Sequence, residues 1–175
     1  RTINNTLTAA LATIKENNDI QFIWQTGKYY YPQVTEAVRA AGELPNLYVT
    51  DFIKDMAAAY AASDLVISRA GAGSISEFCL LHKPVVLVPS PNVAEDHQTK
   101  NALALVDKQA AIYVKDSEAE AKLMDVALNT VADDRKLKEL SENIAKLALP
   151  DSARIIAQEV IKLAEAENKS EAKRS

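Results

Sequence analysis

A glycine-rich turn followed by a carboxylate is the part of this sequence best suited to bind an anionic ligand. The run Arg69-Ala70-Gly71-Ala72-Gly73 comes directly after an apolar stretch, and a helical pattern begins at Ser74. Glycine lets a ligand approach the backbone closely, and the amides of a first helical turn favour a phosphate. Because ligands of open α/β sheets bind beyond the carboxyl ends of the strands, this turn is a candidate phosphate site.

The same segment also fits a purely structural role. Ser74 and Glu77 stand at the spacing of a capping box, in which Ser74 caps the helix and Glu77 reaches back to its first amide. In the alternative, Glu77 accepts hydrogen bonds from the vicinal hydroxyls of a sugar. A short glycine pattern is a weak signal, so the capping box is favoured while this segment is considered by itself.

A second polar segment, residues 90–102, follows another apolar stretch. His97 and Gln98 stand where a helical pattern begins, so their side chains can face the same crevice as Glu77. The alternative is a solvated loop in which Asp96 caps that helix. Considered alone, the segment slightly favours the solvated loop.

A third segment, residues 49–60, is unusually apolar for a loop that leaves a strand. Phe52, Ile53 and Met56 either pack on the core or form the wall of a pocket for a flat ligand, and periodicity leaves both open. Asp55 stands where it can cap a helix that begins at Met56.

Several other kinds of chemistry are not expected. His82 and His97 have no carboxylate or histidine at ligand spacing, which argues against a metal site. Ser74 and Ser76 lack a nucleophile elbow, and Cys79 lies in an apolar helical pattern, which argues against covalent catalysis. The formal net charge of −4 argues against nucleic acid as a partner. The apolar runs are too short to span a bilayer.

Short apolar runs alternate with helical patterns, which predicts an α/β fold: a Rossmann-like parallel sheet with helices on both faces. The expected strands are residues 20–26, 47–50, 65–68, 85–88 and 111–114, and the expected helices are about 4–16, 32–41, 56–62, 74–81 and 98–106. From residue 117 the pattern is helical only. We therefore predict one domain over residues 1–150, a C-terminal helix over 151–167 and a frayed tail over 168–175.

Taken together, the glycine-rich segment and the segments at residues 90–102 and 49–60 resemble the MurG family of undecaprenyldiphospho-muramoylpentapeptide N-acetylglucosaminyltransferases. Members of this family are two-domain GT-B enzymes. The order and spacing of the matching motifs agree over about residues 1–150. The motifs are Phe52-Ile53-x-Asp55-Met56-Ala57-Ala58-Ala59-Tyr60, Ser68-Arg69-Ala70-Gly71-x-x-x-x-Ser76-Glu77, Pro84 through Val88-Pro89, and Asp96-x-Gln98-x-x-Asn101-Ala102.

The resemblance implies a role for individual residues. The backbone of Ile53 would read the edge of a uracil ring, in a pocket lined by Phe52 and Met56. Glu77 would bind the ribose hydroxyls, and Gln98 would contact the hydroxyls of N-acetylglucosamine. The role of His97 beside it is open, because other members carry two adjacent glutamines. The ribose and the diphosphate would be held by Ala72, Gly73, Ser74, Ile75, Ser76 and Glu77.

The resemblance also implies a reaction, in which N-acetylglucosamine passes from UDP-N-acetylglucosamine to a lipid-linked muramoyl-pentapeptide. Residues 1–150 would be the UDP-sugar-binding domain, the C-terminal half of the GT-B enzyme. No cofactor is expected, and no catalytic residue is expected in this chain, because the family carries its general base and its acceptor site in an N-terminal domain. The implied location is peripheral, on the cytoplasmic face of the bacterial inner membrane.

Two other functions remain compatible with the motifs. One is the donor domain of a different GT-B enzyme that uses UDP-sugars, such as a lipid glycosyltransferase or an epimerase. The other is a non-catalytic subunit that binds nucleotide sugars.

The resemblance further implies a strand and a glycine loop before the position that matches Arg1. That strand would lie in the middle of the sheet, where its loss leaves the ladder groups of its neighbours unpaired. We therefore expect the sheet of this chain to be closed in another way, by rearrangement or by self-association with another chain.

Overall fold

Five strands alternate with helices, as the pattern of apolar runs predicts. This computed structural model describes residues 1–92 and 96–172, with the side chains of residues 165–172 excepted. The strands are β1 (Phe22–Gln25), β2 (Leu47–Thr50), β3 (Val66–Ser68), β4 (Val85–Leu87) and β5 (Ile112–Tyr113). The helices are α1 (Thr2–Ala9), α2 (Leu11–Glu16), α3 (Tyr31–Ala41), α4 (Met56–Ala62), α5 (Ala72–Leu81), α6 (His97–Val106), α7 (Ala119–Val131), α8 (Asp134–Ala145) and α9 (Ser152–Ala172).

The strands pair in parallel, which confirms the predicted fold class. β1 pairs with β2, and β3, β4 and β5 form a second sheet in that order. The central strand β4 is buried along its whole length, as a strand covered on both faces must be. The run Val85–Leu87 can therefore be apolar at every position.

The two sheets match a doubly wound sheet that is interrupted at one position. A doubly wound sheet has the strand order 3-2-1-4-5-6. Here β2 and β1 take the places of strands 3 and 2, and β3, β4 and β5 take the places of strands 4, 5 and 6. The unfilled place is that of strand 1 in the middle of the sheet, between β1 and β3. No strand within residues 1–92 or 96–172 lies between them, so the expected closure by a rearranged strand does not occur there. Helix α4, which connects β2 to β3, buries none of its residues, and Ile23 of β1 is 45% exposed.

Helices α1 and α7 join the two halves across this interruption. Helix α7 contributes Met124 to a core cluster with β1, and its neighbour Leu123 to the cluster around β4. Buried polar contacts add to this packing, because Asn4 of α1 donates to the backbone oxygen of Thr26 at 2.9 Å and accepts from the Trp24 indole at 3.0 Å. Both polar groups of the Asn4 amide are thereby satisfied in a buried position.

The first and last helices differ from their predicted bounds. The helix expected at residues 4–16 is divided at Ala10, whose φ of −93° and ψ of 13° separate α1 from α2. Helix α9 continues to Ala172, so it overlaps the tail predicted at 168–175, of which 173–175 lie outside the described residues. Its large apolar side chains are more than half exposed, namely Ile155, Ile156, Val160, Ile161 and Leu163.

Among the described helices, none is long and apolar enough to cross a membrane.

A part-buried guanidinium ties together the loops beyond β3, β4 and β5. Arg69, next to the end of β3, donates to the backbone oxygens of Val88 at 2.9 Å and Pro89 at 3.1 Å, and forms a salt bridge with Asp116. Asp116 also accepts from the Thr2 hydroxyl at 2.9 Å. Burial by itself would raise the pKa of Asp116, but the hydrogen bonds from Arg69 and Thr2 outweigh it and hold that pKa below its usual value.

We predict that Asp116→Asn lowers the free energy of unfolding at neutral pH by about 1.5–3 kcal/mol, the usual worth of a hydrogen bond to a charged group. The carboxylate pKa is lower in the folded state, so its contribution is present above the unfolded pKa of about 3.9 and is lost as the pH falls through the folded pKa. Urea unfolding at several pH values measures this. The difference between wild type and variant should shrink below about pH 4.

Asp125→Asn is the matched control, because Asp125 is exposed on α7. A loss of stability in Asp116→Asn that is no larger than in this control would contradict a stabilising role for the Arg69–Asp116 pair.

Candidate functional site

The glycine turn lies at the carboxyl end of β3, where the sequence places it. Gly71 is extended, with φ −70° and ψ 141°, and α5 begins at the next residue. Neither Gly71 nor Gly73 has a positive φ, so the freedom to adopt one is not why glycine stands there. A Cβ added at either position would meet nothing within 4 Å. The space in front of both glycines is therefore open to a ligand that approaches the backbone.

The first turn of α5 leaves three backbone amides without a partner in the helix. Ala72, Gly73 and Ser74 are its first three residues, and their N–H groups have no partner within the helix, as in any first helical turn. Gly73 within a helix costs about 0.5–1 kcal/mol relative to alanine. Nothing in the described structure crowds Gly73, so close packing does not explain this cost. A glycine there does leave the neighbouring amides accessible to a ligand.

The predicted capping box is wrong. Gly71 is the residue that caps α5, without any side-chain hydrogen bond, and Ser74 lies inside the helix. Glu77 is therefore too far along α5 to bond to the amide of the capping residue. The Ser76 hydroxyl donates within the helix, to the backbone oxygen of Ala72 at 3.0 Å.

The Glu77 carboxylate instead accepts a hydrogen bond from a neighbouring helix. The Tyr60 hydroxyl, on α4, donates to Oε2 of Glu77 at 3.1 Å. The Tyr60 ring also packs edge-on against Phe78, with centroids 5.8 Å apart. Burial first, and then the hydrogen bond and negative charge of Glu77, raise the pKa of Tyr60 to about 12, so the phenol stays protonated and remains a donor.

The segment after β4 lies beside the glycine turn. Asn101 of α6 donates to the backbone oxygen of Ala70 at 3.1 Å, which fixes α6 against this turn. Oε1 of Gln98 accepts from the backbone N–H of Ser90 at 2.9 Å, so Gln98 holds the loop beyond β4. Its amide nitrogen supplies two further donors.

His97 is the first residue of α6, and residues 93–95 lie outside the described part of the chain. Asp96 occupies the capping position of α6 but makes no side-chain capping bond, and its φ of 54° is left-handed. The predicted cap by the Asp96 carboxylate is therefore absent.

The apolar loop after β2 faces solvent rather than the core. Phe52 is 60% exposed, and Ile53 and Met56 are half-buried. The predicted cap is confirmed, since the Asp55 carboxylate accepts from the backbone N–H of Ala58 at 2.9 Å. The backbone N–H of Ile53 donates to Oε1 of Gln25, at the end of β1, at 2.8 Å.

Sequence reasoning gave no role to Gln25 or to the Tyr60 hydroxyl. Gln25 is the last residue of β1 and lies one residue before the end of the strand predicted at 20–26, so the rule that ligands bind beyond carboxyl ends could have drawn attention to it. Tyr60 belongs to the motif that carries the family resemblance, but its contact with Glu77 joins two different helices, which spacing along one helix does not reveal. Within the described ranges, no three histidine, cysteine, aspartate or glutamate side chains gather as they would around a metal ion.

Comparison with known proteins adds a family to this geometry. The family model of the glycosyltransferase family 28 C-terminal domain matches residues 1–156. Curated relatives named UDP-N-acetylglucosamine–N-acetylmuramyl-(pentapeptide) pyrophosphoryl-undecaprenol N-acetylglucosamine transferase include one from Bacteroides fragilis, 79% identical over 94% of this chain and 43% of the relative. One from Phocaeicola vulgatus is 66% identical over 94% of this chain and 44% of the relative. The chain thus spans less than half the length of these relatives.

Solved structures agree with this relationship. The crystal structure of MurG from Acinetobacter baumannii has a TM-score of 0.78 and 28% identity, covering 92% of this chain and 46% of that one. The glycotransferase of kitacinnamycin, at 20% identity and a TM-score of 0.60 over 90% of this chain and 38% of that one, shares the fold alone.

The different positions of Asp55 and Glu77 predict different effects on stability. Asp55→Ala removes a helix cap and should lower the free energy of unfolding by about 1 kcal/mol. Glu77→Ala removes one exposed hydrogen bond and no cap, so it should cost less than about 0.5 kcal/mol. Urea unfolding of the two variants beside wild type measures both. A cost for Glu77→Ala that equals the cost for Asp55→Ala would restore the capping role.

Proposed function

The chain belongs to the glycosyltransferase family 28 C-terminal domain family, and on this premise we propose that it is the donor-binding half of a longer enzyme. That enzyme transfers N-acetylglucosamine from UDP-N-acetylglucosamine to a lipid-linked muramoyl-pentapeptide, the activity in the names of its relatives. The observation that carries the proposal is the position of Glu77. Glu77 lies on the same helix as the unpartnered first-turn amides, and its carboxylate does not cap that helix but accepts from the Tyr60 hydroxyl.

The diphosphate of the donor would bind at the glycine turn. The first amides of α5 have no partner within the helix, the glycines beside them are uncrowded, and the positive end of the helix dipole favours an anion there. Glu77 would accept hydrogen bonds from the two ribose hydroxyls, since a carboxylate has two acceptor oxygens. The residues in contact with the diphosphate and ribose would be Ala72, Gly73, Ser74, Ile75, Ser76 and Glu77.

The uracil and the sugar would bind on either side of this turn. Exposed Phe52 and half-buried Met56 give a flat ring an apolar surface beside the backbone of Ile53. Gln98 and His97 begin α6, which Asn101 holds against the glycine turn, and this supports a role for them in contacting a sugar attached to the diphosphate. Hydrogen bonds to hydroxyls at such a site reject analogues that lack them.

The chain's contribution to the reaction would be electrostatic. When an acceptor hydroxyl attacks the anomeric carbon, the bond from that carbon to the diphosphate oxygen breaks, and the electron pair leaves with UDP. The α5 amides would stabilise the charge that builds on the departing diphosphate. The proton of the acceptor would go to a base in the part of the enzyme outside this chain.

The same outside part would bind the lipid-linked acceptor. An enzyme acting on that substrate works at a membrane surface, and we place it on the cytoplasmic face of the bacterial inner membrane as a peripheral protein. The chain by itself also offers a site for self-association, because β1 and β3 each pair with only one strand of the described sheets. An unpaired strand edge is a template for another chain.

We predict that Glu77→Ala in the complete enzyme weakens binding of UDP-N-acetylglucosamine at least tenfold. A hydrogen bond from a ribose hydroxyl to a charged carboxylate is worth about 1.5–3 kcal/mol, and 1.4 kcal/mol corresponds to a factor of ten. Isothermal titration calorimetry measures the affinity. Glu142→Ala is the control, because Glu142 is exposed on α8. Unchanged donor affinity in Glu77→Ala would remove Glu77 from the donor site.

We also predict that the 175-residue chain binds donor but transfers no sugar. The expected general base belongs to the other half, so turnover with UDP-N-acetylglucosamine and a muramoyl-lipid acceptor should stay at background in a radiolabel assay. Calorimetry on the same preparation, with UDP-glucose and UDP-galactose for comparison, verifies that the donor site is intact. Turnover by this chain alone would contradict the assignment of the base to the absent half.

A further inference from the structure

The Tyr60–Glu77 hydrogen bond joins the two helices that would hold the two ends of a nucleoside. Helix α4 begins at the loop of Phe52 and Ile53, whereas α5 begins at the glycine turn. We propose that Tyr60 is a positioning residue that holds the Glu77 carboxylate in the orientation that accepts a ribose diol. This inference rests on the proposed function, because it assigns a second residue to the same donor site.

The geometry leaves one face of the carboxylate for a ligand. The Tyr60 hydroxyl donates to Oε2 of Glu77. Each carboxylate oxygen has two lone pairs, so Oε1 and the second lone pair of Oε2 remain for two hydroxyl donors. Two vicinal hydroxyls of one ribose match that number and spacing.

The need for a positioning residue follows from the exposure of Glu77. Its side chain lies on the exposed surface of α5, with rotatable bonds whose freedom is lost when a ligand fixes it. A hydrogen bond already present in the free protein reduces that loss, which is how preorganisation increases affinity.

Tyr60 is itself held firmly enough to do this. Its ring packs edge-on against Phe78, which is only 1% exposed. Its helix is fixed at the other end by the Asp55 cap. A tyrosine hydroxyl is protonated throughout the neutral range even at its ordinary pKa of about 10, so Tyr60, whose pKa is raised to about 12, remains a donor to the carboxylate there.

The position of Tyr60 also couples two parts of the donor site. Tyr60 lies on the helix that begins after the loop of Phe52 and Ile53, and its hydroxyl contacts Glu77 on α5. Recognition of the base and of the ribose would thus be linked through one phenol.

The test compares two ligands in the complete enzyme, UDP and 2′,3′-dideoxyuridine diphosphate, which lacks both ribose hydroxyls. In wild type, UDP should bind more tightly than the dideoxy compound. In Tyr60→Phe, the affinity for UDP should fall about three- to tenfold, the equivalent of one ordinary hydrogen bond, while the affinity for the dideoxy compound changes less than about twofold. Competition calorimetry gives all four dissociation constants.

Two controls separate positioning from folding. Tyr48→Phe removes the hydroxyl of a tyrosine that is 63% exposed on β2, and it should alter neither affinity. In a Glu77→Ala background, Tyr60→Phe should have no further effect on UDP binding, because the residue through which it acts is gone.

Each remaining outcome overturns the inference. If Tyr60→Phe weakens both ligands equally, its role is structural, and if it weakens neither, the hydrogen bond does not matter for binding. If wild type fails to prefer UDP over the dideoxy compound, the ribose site of the proposed function is wrong as well. That result is seen in wild type alone, so it is distinguishable from a failure that concerns only the role of Tyr60.

Discussion

The hydrogen bonds and the salt bridge of the Arg69 guanidinium fix the relative positions of the loops around the candidate site. It stands next to β3, and its hydrogen bonds reach the backbone beyond β4 and the Asp116 carboxylate beyond β5. All three acceptors lie within hydrogen-bond distance of Nη1 of Arg69, which carries two N–H groups, so the Val88 and Pro89 carbonyls and the Asp116 carboxylate share the donors of one nitrogen. Through Thr2, Asp116 extends the same set of contacts to α1. One connected set of hydrogen bonds around the Arg69–Asp116 pair therefore holds the glycine turn, the loop beyond β4 and the first helix together.

The interruption of the sheet explains which parts of the fold are firmly packed. The strands β3, β4 and β5 are packed by two core clusters, one with residues of α5, α6 and α8 and the other with residues of α7, in which Val86 and Leu123 are fully buried. Helix α4 lies where β2 connects to β3, and none of its residues is buried. Its alanines contribute little side-chain packing, so its Asp55 cap and the Tyr60 contacts carry more of its stability than is usual for a helix on a sheet.

The sequence was sufficient for the elements but not for their contacts. Apolar runs such as Val85–Leu87 predict buried parallel strands, and Asp55 before a helical run predicts a cap, because each signal is local. The predicted capping box is wrong although Ser74 and Glu77 have the residue types and the spacing of one. Helix formation continues back through Gly73 to Ala72, which places Ser74 inside the first turn. The Tyr60–Glu77 bond depends on how two helices pack, and no periodicity within either one specifies it. The residues proposed to bind a sugar nucleotide could be named only through the family resemblance.

The bond between Gln25 and Ile53 has a consequence for how a base would be read. In the free protein, the backbone N–H of Ile53 already has an acceptor in the Gln25 side chain. A uracil carbonyl that took this donor would exchange one amide hydrogen bond for another, so the net gain in binding energy from it would be small. A base without a carbonyl there would leave the Gln25 contact in place and gain no hydrogen bond from this exposed amide. Such an exchange favours selectivity over tightness: the loop stays satisfied when empty, and only a ring with an equivalent acceptor replaces the side chain without loss.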